Sequence, residues 1–162
     1  MRIMRKREPR ILVVDDDKML TDNLVEFLNK LGYQAFPAYD GMEGLSTFEQ
    51  GDFPVIITDL KMPEMDGMEL LEEMKKLDND VIVIILTGFG TIESAVKAIK
   101  GGAYDYITKP IKFDEIEIVV NRAMEKHTIF RQLRIFRGVF LFFLFTIPLW
   151  ILLGVLLISV WK

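Results

Sequence analysis

The sequence predicts an α/β fold in which helices cover both faces of a parallel, doubly wound sheet. Short apolar runs rich in β-branched residues recur along the chain without polar alternation, as is typical of strands buried on both faces. Segments with apolar residues at helical spacing separate these runs, and glycines close several of those segments. Five strands alternating with five helices predict a (βα)5 domain with right-handed connections.

The first part of the chain supplies two strand–helix pairs. The apolar run 11–14 predicts a buried strand, and three successive aspartates follow it. Apolar residues at helical spacing predict a helix over 19–31, which Gly32 closes. A weaker run predicts a strand over 34–38, and a short amphipathic segment predicts a helix over 40–50.

Three further strand–helix pairs follow. The strongest strand pattern in the chain is a run of six apolar residues that leads into a Thr-Gly pair, and a similar β-branched run before it ends in Thr-Asp. These patterns predict strands over 55–59, 81–86 and 104–107, and helices over 67–77, 91–100 and 113–125.

The composition excludes several classes of site. A chain of 162 residues suits one domain and a small addition. The formal charge of −4 and the pI of about 5.1 show no overall excess of positive charge of the kind that binds nucleic acids. The absence of cysteine excludes disulfides and thiolate metal sites. The single histidine, His127, excludes a multi-histidine metal site.

Polar residues follow four of the predicted strands. Asp15 and Asp16 follow the first strand, Asp59 ends the third, Thr87 follows the fourth and Lys109 follows the fifth. The carboxyl ends of parallel strands form one edge of a sheet, where ligands bind. We therefore expect these side chains to converge there, although an isolated aspartate at a strand end is often only a loop or helix-capping residue.

The chemistry of this group favours phosphoryl transfer. Clustered carboxylates repel each other and require a proton or a cation. Oxygen ligands without histidine or cysteine select a hard ion, Mg²⁺. A lysine and a hydroxyl beside such a site suit an incoming phosphoryl group, and one carboxylate could accept it as an acyl phosphate. The residue types alone leave open which aspartate is the nucleophile.

Residues 10–126 resemble the receiver domain of two-component response regulators, in particular the receivers of NtrC-type regulators. Four motifs carry the resemblance, in order and at suitable separations: I-L-V-V-D-D-D, I-I-T-D-L-K-M-P-E-M-D-G, I-I-L-T-G-F-G and Y-D-Y-I-T-K-P-I. The resemblance implies a flavodoxin-like fold with strand order 2-1-3-4-5. It also implies a protein that is not an enzyme beyond its own phosphorylation and dephosphorylation.

The resemblance implies a role for each site residue. Asp59 would be the phosphoacceptor, and Mg²⁺ would be held by Asp15, Asp16, Asp59 and the backbone carbonyl of Lys61. The phosphoryl group would be bound by Thr87, Gly88 and Lys109, and the conformational switch would consist of Thr87 and Tyr106. The loops would be shaped by Pro63, Gly67 and Pro110, with the Lys109–Pro110 peptide bond cis. Tyr106 could instead be a half-buried packing residue. Asp17 matches no metal ligand and is expected to start the first helix.

The two ends of the chain differ from this domain. Residues 1–9 form an expected flexible basic arm. Residues 127–137 predict a basic amphipathic connector helix, which could lie on a membrane or continue the preceding helix as a dimer stalk. Residues 138–161 contain no charged residue and predict a transmembrane tail anchor in place of an output domain.

Arginines before this segment and a single lysine after it predict a receiver on the cytoplasmic side of the inner membrane. A buried helix, an oligomer patch, a shallow hairpin at Pro148 and a truncated longer regulator are the alternatives.

The sequence therefore predicts a membrane-anchored receiver that accepts a phosphoryl group from a histidine kinase. Phosphorylation would switch an interaction face formed by the fourth helix, fifth strand and fifth helix, through which a homodimer could form. Two alternatives stay open: a phosphate sink or relay intermediate without an output state, and a tethered interaction module with vestigial phosphorylation.

Overall fold

The computed structural model describes residues 9–88 and 91–160. Most of the predicted basic arm and Phe89 lie outside the described residues. The side chains left out within the last helix are those of residues 134, 135, 137, 138, 141, 145 and 148–160. The chain divides into two compact units, residues 1–127 and 128–162.

Five parallel strands form one sheet in the order β2-β1-β3-β4-β5, which confirms the predicted fold and strand order. The strands are β1 (Arg10–Val14), β2 (Gln34–Ala38), β3 (Val55–Asp59), β4 (Ile82–Thr87) and β5 (Asp105–Thr108). Strands β1, β3 and β4 are buried along almost their whole length, as their unbroken apolar runs predict.

The helices alternate with the strands. They are α1 (Lys18–Lys30), α2 (Gly41–Glu49), α3 (Gly67–Leu77), α4 (Ile92–Lys100) and α5 (Phe113–Val160). Asp17 caps α1 by accepting a hydrogen bond from the backbone N–H of Leu20 at 3.1 Å, the role expected for it. Gly32, with φ of +89°, follows the end of α1 in the left-handed conformation that favours glycine.

Alternate residues of the central strands supply two apolar layers, one on each face of the sheet. Leu12 and Val14 point to one layer, and Ile11 and Val13 point to the other. The first layer is completed chiefly by α2 and α3, and the second by α1 and α5. Burial on both faces holds the strands rigidly, so the residues at their carboxyl ends are well positioned.

The C-terminal boundaries differ from the expected ones. The fifth helix does not end near residue 125 but continues to Val160, through both the predicted connector 127–137 and most of the segment 138–161. Among the described residues, no helix is long and apolar enough to cross a membrane, so the expected transmembrane helix is not found. The side chains of residues 148–160, which supply much of the apolar segment in the sequence, lie outside the described residues.

Helix α4 buries little of its apolar surface. The side chains of Ile92, Val96 and Ile99 are exposed, and that of Ile92 retains 86% of its accessible surface. Of the α4 residues, Ala98 is the one that is fully buried. The amphipathic pattern of α4 is therefore real, but part of the apolar stripe faces outward within the first unit.

Candidate functional site at the carboxyl edge of the sheet

The sheet positions four polar residues at its carboxyl edge. Asp15 follows β1, Asp59 ends β3, Thr87 ends β4 and Lys109 follows β5. Because β1, β3, β4 and β5 lie side by side in parallel, their carboxyl ends are adjacent. Asp15, Asp59 and Thr87 are buried, although each carries a polar side chain. A polar group in such a position requires a partner or a function.

Lys109 joins the two buried aspartates. Its Nζ lies 2.6 Å from Asp15 Oδ2 and 2.7 Å from Asp59 Oδ1. Its backbone N–H donates to the carbonyl of Thr87 at 2.7 Å, which ties the loop after β5 to the end of β4. The Lys109–Pro110 peptide bond is cis, as expected. The structure thus brings together three of the residues that the sequence nominated.

Burial and charge act in opposite directions on these groups. Burial raises the pKa of Asp15 above its ordinary value, and the hydrogen bonds from Lys109 and from the backbone N–H of Asp17 only partly oppose that shift. Burial alone would lower the pKa of Lys109, but its hydrogen bond to Asp15 and its close charge contacts with Asp15 and Asp59 together outweigh burial and raise that pKa. Lys109 is therefore a cation at neutral pH and offsets the carboxylates.

The two oxygens of Asp59 have different surroundings. Oδ2 accepts a hydrogen bond from the backbone N–H of Lys61 at 2.7 Å. Oδ1 is fully buried and accepts no hydrogen bond of normal geometry among the described residues. The 2.7 Å approach of Lys109 Nζ to Oδ1 is therefore a charge contact rather than a well-directed hydrogen bond. One carboxylate oxygen thus keeps lone pairs available for a further ligand.

The predicted magnesium ligands are only partly assembled. Asp15 and Asp59 share Lys109, whereas the side chain of Asp16 is exposed. Within the described part of the chain, no group of three or more acidic or histidine side chains is placed to hold a metal ion. The residues present still suit a hard cation, because the donors are oxygens and Asp59 Oδ1 lacks a directed donor.

The loop after β3 is shaped by close backbone contacts. The N–H of Met65 donates to the carbonyl of Pro63 at 2.7 Å, and the N–H of Gly67 donates to the carbonyl of Leu60 at 3.0 Å. A Cβ at Gly67 would collide with the backbone carbonyl of Asp59. Only glycine therefore lets α3 begin this close to the last residue of β3, which supports the predicted structural role of Gly67.

Thr87 and Gly88 lead out of β4 beside this group. The side chain of Thr87 is buried, and no atom of the described residues lies within 4 Å of the position that a Cβ would take at Gly88. Open space at Gly88 is compatible with room for a bound group next to Asp59. Phe89 and Gly90 are outside the described residues, so Gly88 is the last described position before α4 begins.

Tyr106 contacts a residue that sequence reasoning did not identify. Its hydroxyl lies 2.8 Å from Ser94 Oγ, and its half-buried ring packs against the layer that includes Ile85 and Ala98. The sequence signal for Ser94 was its position three residues after Thr91, the spacing of a helix-capping box. That spacing explains why Ser94 lies at the start of α4, but it does not reveal the contact with Tyr106.

The fold and the edge residues define a doubly wound α/β domain with a carboxylate–lysine site at its carboxyl edge. Residues 11–121 match the family model of the response regulator receiver domain, so the chain belongs to that family. It therefore contains a receiver domain of the kind found in two-component response regulators.

Individual relatives agree with this assignment. The transcriptional regulatory protein ZraR of Salmonella typhimurium is 38% identical over 114 residues, which are 70% of this chain and 26% of that protein. The regulatory protein AtoC of Escherichia coli is 34% identical over 125 residues, which are 77% of this chain and 27% of AtoC. The chain thus spans about a quarter of the length of these relatives.

A solved structure has the same fold over nearly its whole length. The crystal structure of a response regulator receiver domain protein from Clostridium thermocellum superposes with a TM-score of 0.72 at 35% sequence identity. The match covers 75% of this chain and 98% of that structure. The receiver fold thus accounts for most of the first unit of this chain.

Proposed function

We propose that the protein is a response regulator receiver that accepts a phosphoryl group from a histidine kinase onto Asp59. The observation that carries this proposal is the buried Asp59 Oδ1, which accepts no directed hydrogen bond from the described residues and lies 2.7 Å from the Lys109 ammonium. A nucleophile needs a lone pair that no directed hydrogen bond engages, and the transferred group needs a nearby positive charge. Asp59 is the one of the two buried aspartates that combines both features.

The transfer is a simple substitution at phosphorus. Asp59 Oδ1 forms a bond to phosphorus while the bond from phosphorus to the imidazole nitrogen of the donor breaks, and that nitrogen keeps the electron pair. The product is an acyl phosphate on Asp59. The Lys109 ammonium stabilises the negative oxygens of the transferred group, and the Lys61 N–H holds the other carboxylate oxygen in place at 2.7 Å.

Mg²⁺ is the cofactor that this donor set fits. Asp15, Asp16, Asp59 and the Lys61 carbonyl would hold it, and when bound it would reduce the repulsion between the carboxylates and the incoming phosphoryl group. Asp16 differs from Asp15 in that its side chain is exposed. We propose Thr87 and Gly88 as further contacts of the phosphoryl group, and Thr87 and Tyr106 as the pair that responds to it.

The proposed output is a protein interaction rather than a reaction. Exposed apolar residues on α4 offer a surface to a partner or a second copy of the chain. Phosphorylation would change the population of the conformation that a partner recognises. A sink or relay intermediate would share the phosphorylation chemistry but would show no partner whose affinity depends on phosphorylation.

For the second unit we propose attachment to a lipid bilayer on the cytoplasmic side. The support is the exposed apolar surface of residues such as Leu133, Phe136 and Phe140, together with the exposed Arg131. A vesicle flotation assay with anionic lipids tests this attachment. Protein that stays with the vesicle-free fraction would contradict it.

Phosphorylation is tested with acetyl phosphate, a small phosphoryl donor, and Mg²⁺. Intact mass should show addition of one phosphoryl group to the native chain and none to Asp59→Asn. Asp66→Asn, in the same loop, is the matched control and should be labelled like the native chain. Equal labelling of the native chain and Asp59→Asn would show that Asp59 is not the phosphoacceptor. Labelling that persists after Mg²⁺ has been chelated would show that Mg²⁺ is not required.

A further inference from the structure

Ser94 lies where the first turn of α4 meets the side chain of Tyr106. It is the third residue of α4, and Thr91 is the residue that caps the helix. The backbone N–H of Ser94 donates to Thr91 Oγ1 at 3.1 Å, and Ser94 Oγ accepts from the backbone N–H of Thr91 at 3.2 Å. The same Oγ lies 2.8 Å from the Tyr106 hydroxyl.

The hydroxyl of Ser94 takes part both in the cap of α4 and in the contact with Tyr106. Ser94 Oγ donates to the carbonyl of Thr91 at 2.9 Å and accepts from the N–H of Thr91. It also lies 2.9 Å from Thr91 Oγ1, and in this contact, as in the 2.8 Å contact with the Tyr106 hydroxyl, either oxygen could be the donor. Ser94 Oγ therefore joins Tyr106 to the residue that caps α4.

This contact connects the strand that carries Tyr106 to the segment that leaves the site. Tyr106 lies on β5 in register with Ile85 of β4, two residues before Thr87. Only residues 88–90 separate Thr87 from the cap residue Thr91. A movement of Thr87 therefore has a short path to the cap of α4, and Ser94 attaches Tyr106 to that same cap.

We propose that Ser94 is a positioning residue for Tyr106. Its hydroxyl holds Tyr106 in the conformation of the unphosphorylated protein and attaches it to the first turn of α4. Rotation of Tyr106 then requires this hydrogen bond to break, so phosphorylation at the carboxyl edge and rearrangement of α4 become coupled. The proposal rests on the proposed function, since it concerns the regulation of the same site.

The test measures the two-state equilibrium of α4 in the whole chain by NMR of backbone amides without any phosphoryl donor. The chemical shifts and exchange of the α4 amides report the population of the minor conformation. Loss of one neutral hydrogen bond should raise that population about fivefold. We expect this rise in Ser94→Ala and a similar rise in Tyr106→Phe, with no further rise when the two substitutions are combined.

Two variants separate positioning from simple helix capping. Thr91→Val removes the Oγ1 that caps the backbone N–H of Ser94 and lies 2.9 Å from Ser94 Oγ. It keeps the Ser94 hydroxyl and the contacts of that hydroxyl with the backbone of Thr91, so it should leave the population close to that of the native chain. Ser94→Thr keeps a hydroxyl and should restore native behaviour. If Thr91→Val raised the population as much as Ser94→Ala, the effect would come from the cap, and the proposal would be wrong.

Other outcomes would also overturn the proposal. An unchanged or lower population in Ser94→Ala would show that the bond does not hold the unphosphorylated conformation. Additive effects of Ser94→Ala and Tyr106→Phe would show that the two hydroxyls act independently. Because these measurements use no phosphoryl donor, failure of Asp59 to be labelled would leave their interpretation unchanged, so the two failures can be told apart.

Discussion

At the scale of single residues, the site depends on one lysine between two buried carboxylates. The Lys109 ammonium lies within 2.7 Å of both Asp15 and Asp59, and its side chain keeps 24% of its surface exposed. Removing one partner of a buried ion pair leaves an uncompensated charge, which costs more than the pair contributes. The site therefore makes the stability of the domain sensitive to any change in its charge.

Replacing Lys109 by methionine should lower the free energy of unfolding by about 3 kcal/mol at neutral pH, the lower end of the range for broken buried ion pairs because Lys109 is partly exposed. Urea unfolding measures the change. The exposed Lys112 gives the matched control, since Lys112→Met removes a positive charge without leaving a buried carboxylate unpaired. Equal losses in the two variants would mean that net charge, rather than the ion pair, is responsible.

The raised pKa of Asp15 predicts a particular pH dependence. A buried acid with a raised pKa binds its proton more tightly in the folded state, so its contribution to stability falls as pH rises from the ordinary value of 3.8 through the folded pKa. Asp15→Asn removes this contribution. The free energy of unfolding of Asp15→Asn relative to the native chain should therefore increase across that window and become constant above it.

A series of urea unfolding curves at different pH values measures this difference. Lys109 affects the dependence of stability on pH at the alkaline end. Its raised pKa stabilises the fold fully below the ordinary lysine pKa, and that contribution is lost as pH rises through the higher folded value. A difference between Asp15→Asn and the native chain that did not vary with acidic pH would contradict the assignment of burial as the main cause.

At the scale of secondary-structure elements, the site depends on how closely α3 follows β3. Asp66 caps α3 through hydrogen bonds from the backbone N–H groups of Met68 and Glu69 at 2.8 and 2.9 Å, and Glu69 completes a capping box. The helix can start there because Gly67 has no Cβ to meet the carbonyl of Asp59. The position of the proposed phosphoacceptor is thus coupled to the start of the next helix.

Gly67→Ala should lower the free energy of unfolding by about 1–3 kcal/mol, since the added methyl group must displace backbone rather than a flexible side chain. Gly88→Ala is the control, because none of the residues that the structure describes has an atom within 4 Å of its Cβ position. We expect Gly88→Ala to keep native stability but to be labelled more slowly by acetyl phosphate. Thermal unfolding and intact mass distinguish the two, and a destabilised Gly88→Ala would contradict the structural basis of the comparison.

The elements also show what a sequence can predict. Buried strands depend on local apolar runs, so β3 and its terminal Asp59 were predictable, as was the convergence of Asp15 and Lys109 at the same edge. Continuation of the fifth helix through residues 127–137 was one of two alternatives, but its full length was not predicted, because the uncharged segment from residue 138 onward was interpreted as a separate element. The contact between Ser94 and Tyr106 was also missed, since it depends on tertiary packing across elements that are distant in sequence.

At the scale of the whole molecule, the chain divides into two compact units, and the boundary between them in the sequence falls after His127. The buried part of α5 lies early in the helix, with Ile116, Val120 and Ala123 in the apolar layer of the first unit. Beyond residue 128 the described apolar side chains of the helix are exposed in the isolated chain, for example Phe136 at 73%. The two units therefore differ in what they bury and in what they leave available for association.

A chain that ends at His127 should fold and should be labelled by acetyl phosphate like the full chain, because it keeps every buried residue of the first unit. It should also lose the tendency to associate that exposed apolar surface causes.

A chain that ends at Ile118 is the control. It lacks Val119, Val120 and Ala123, and loss of two buried valines at about 1.5 kcal/mol each should remove much of the stability of a small domain. Circular dichroism with thermal unfolding, intact mass and light scattering measure these properties. If the chain that ends at His127 failed to fold while the full chain did, the second unit would be part of the structural core, and the division between the units would be wrong.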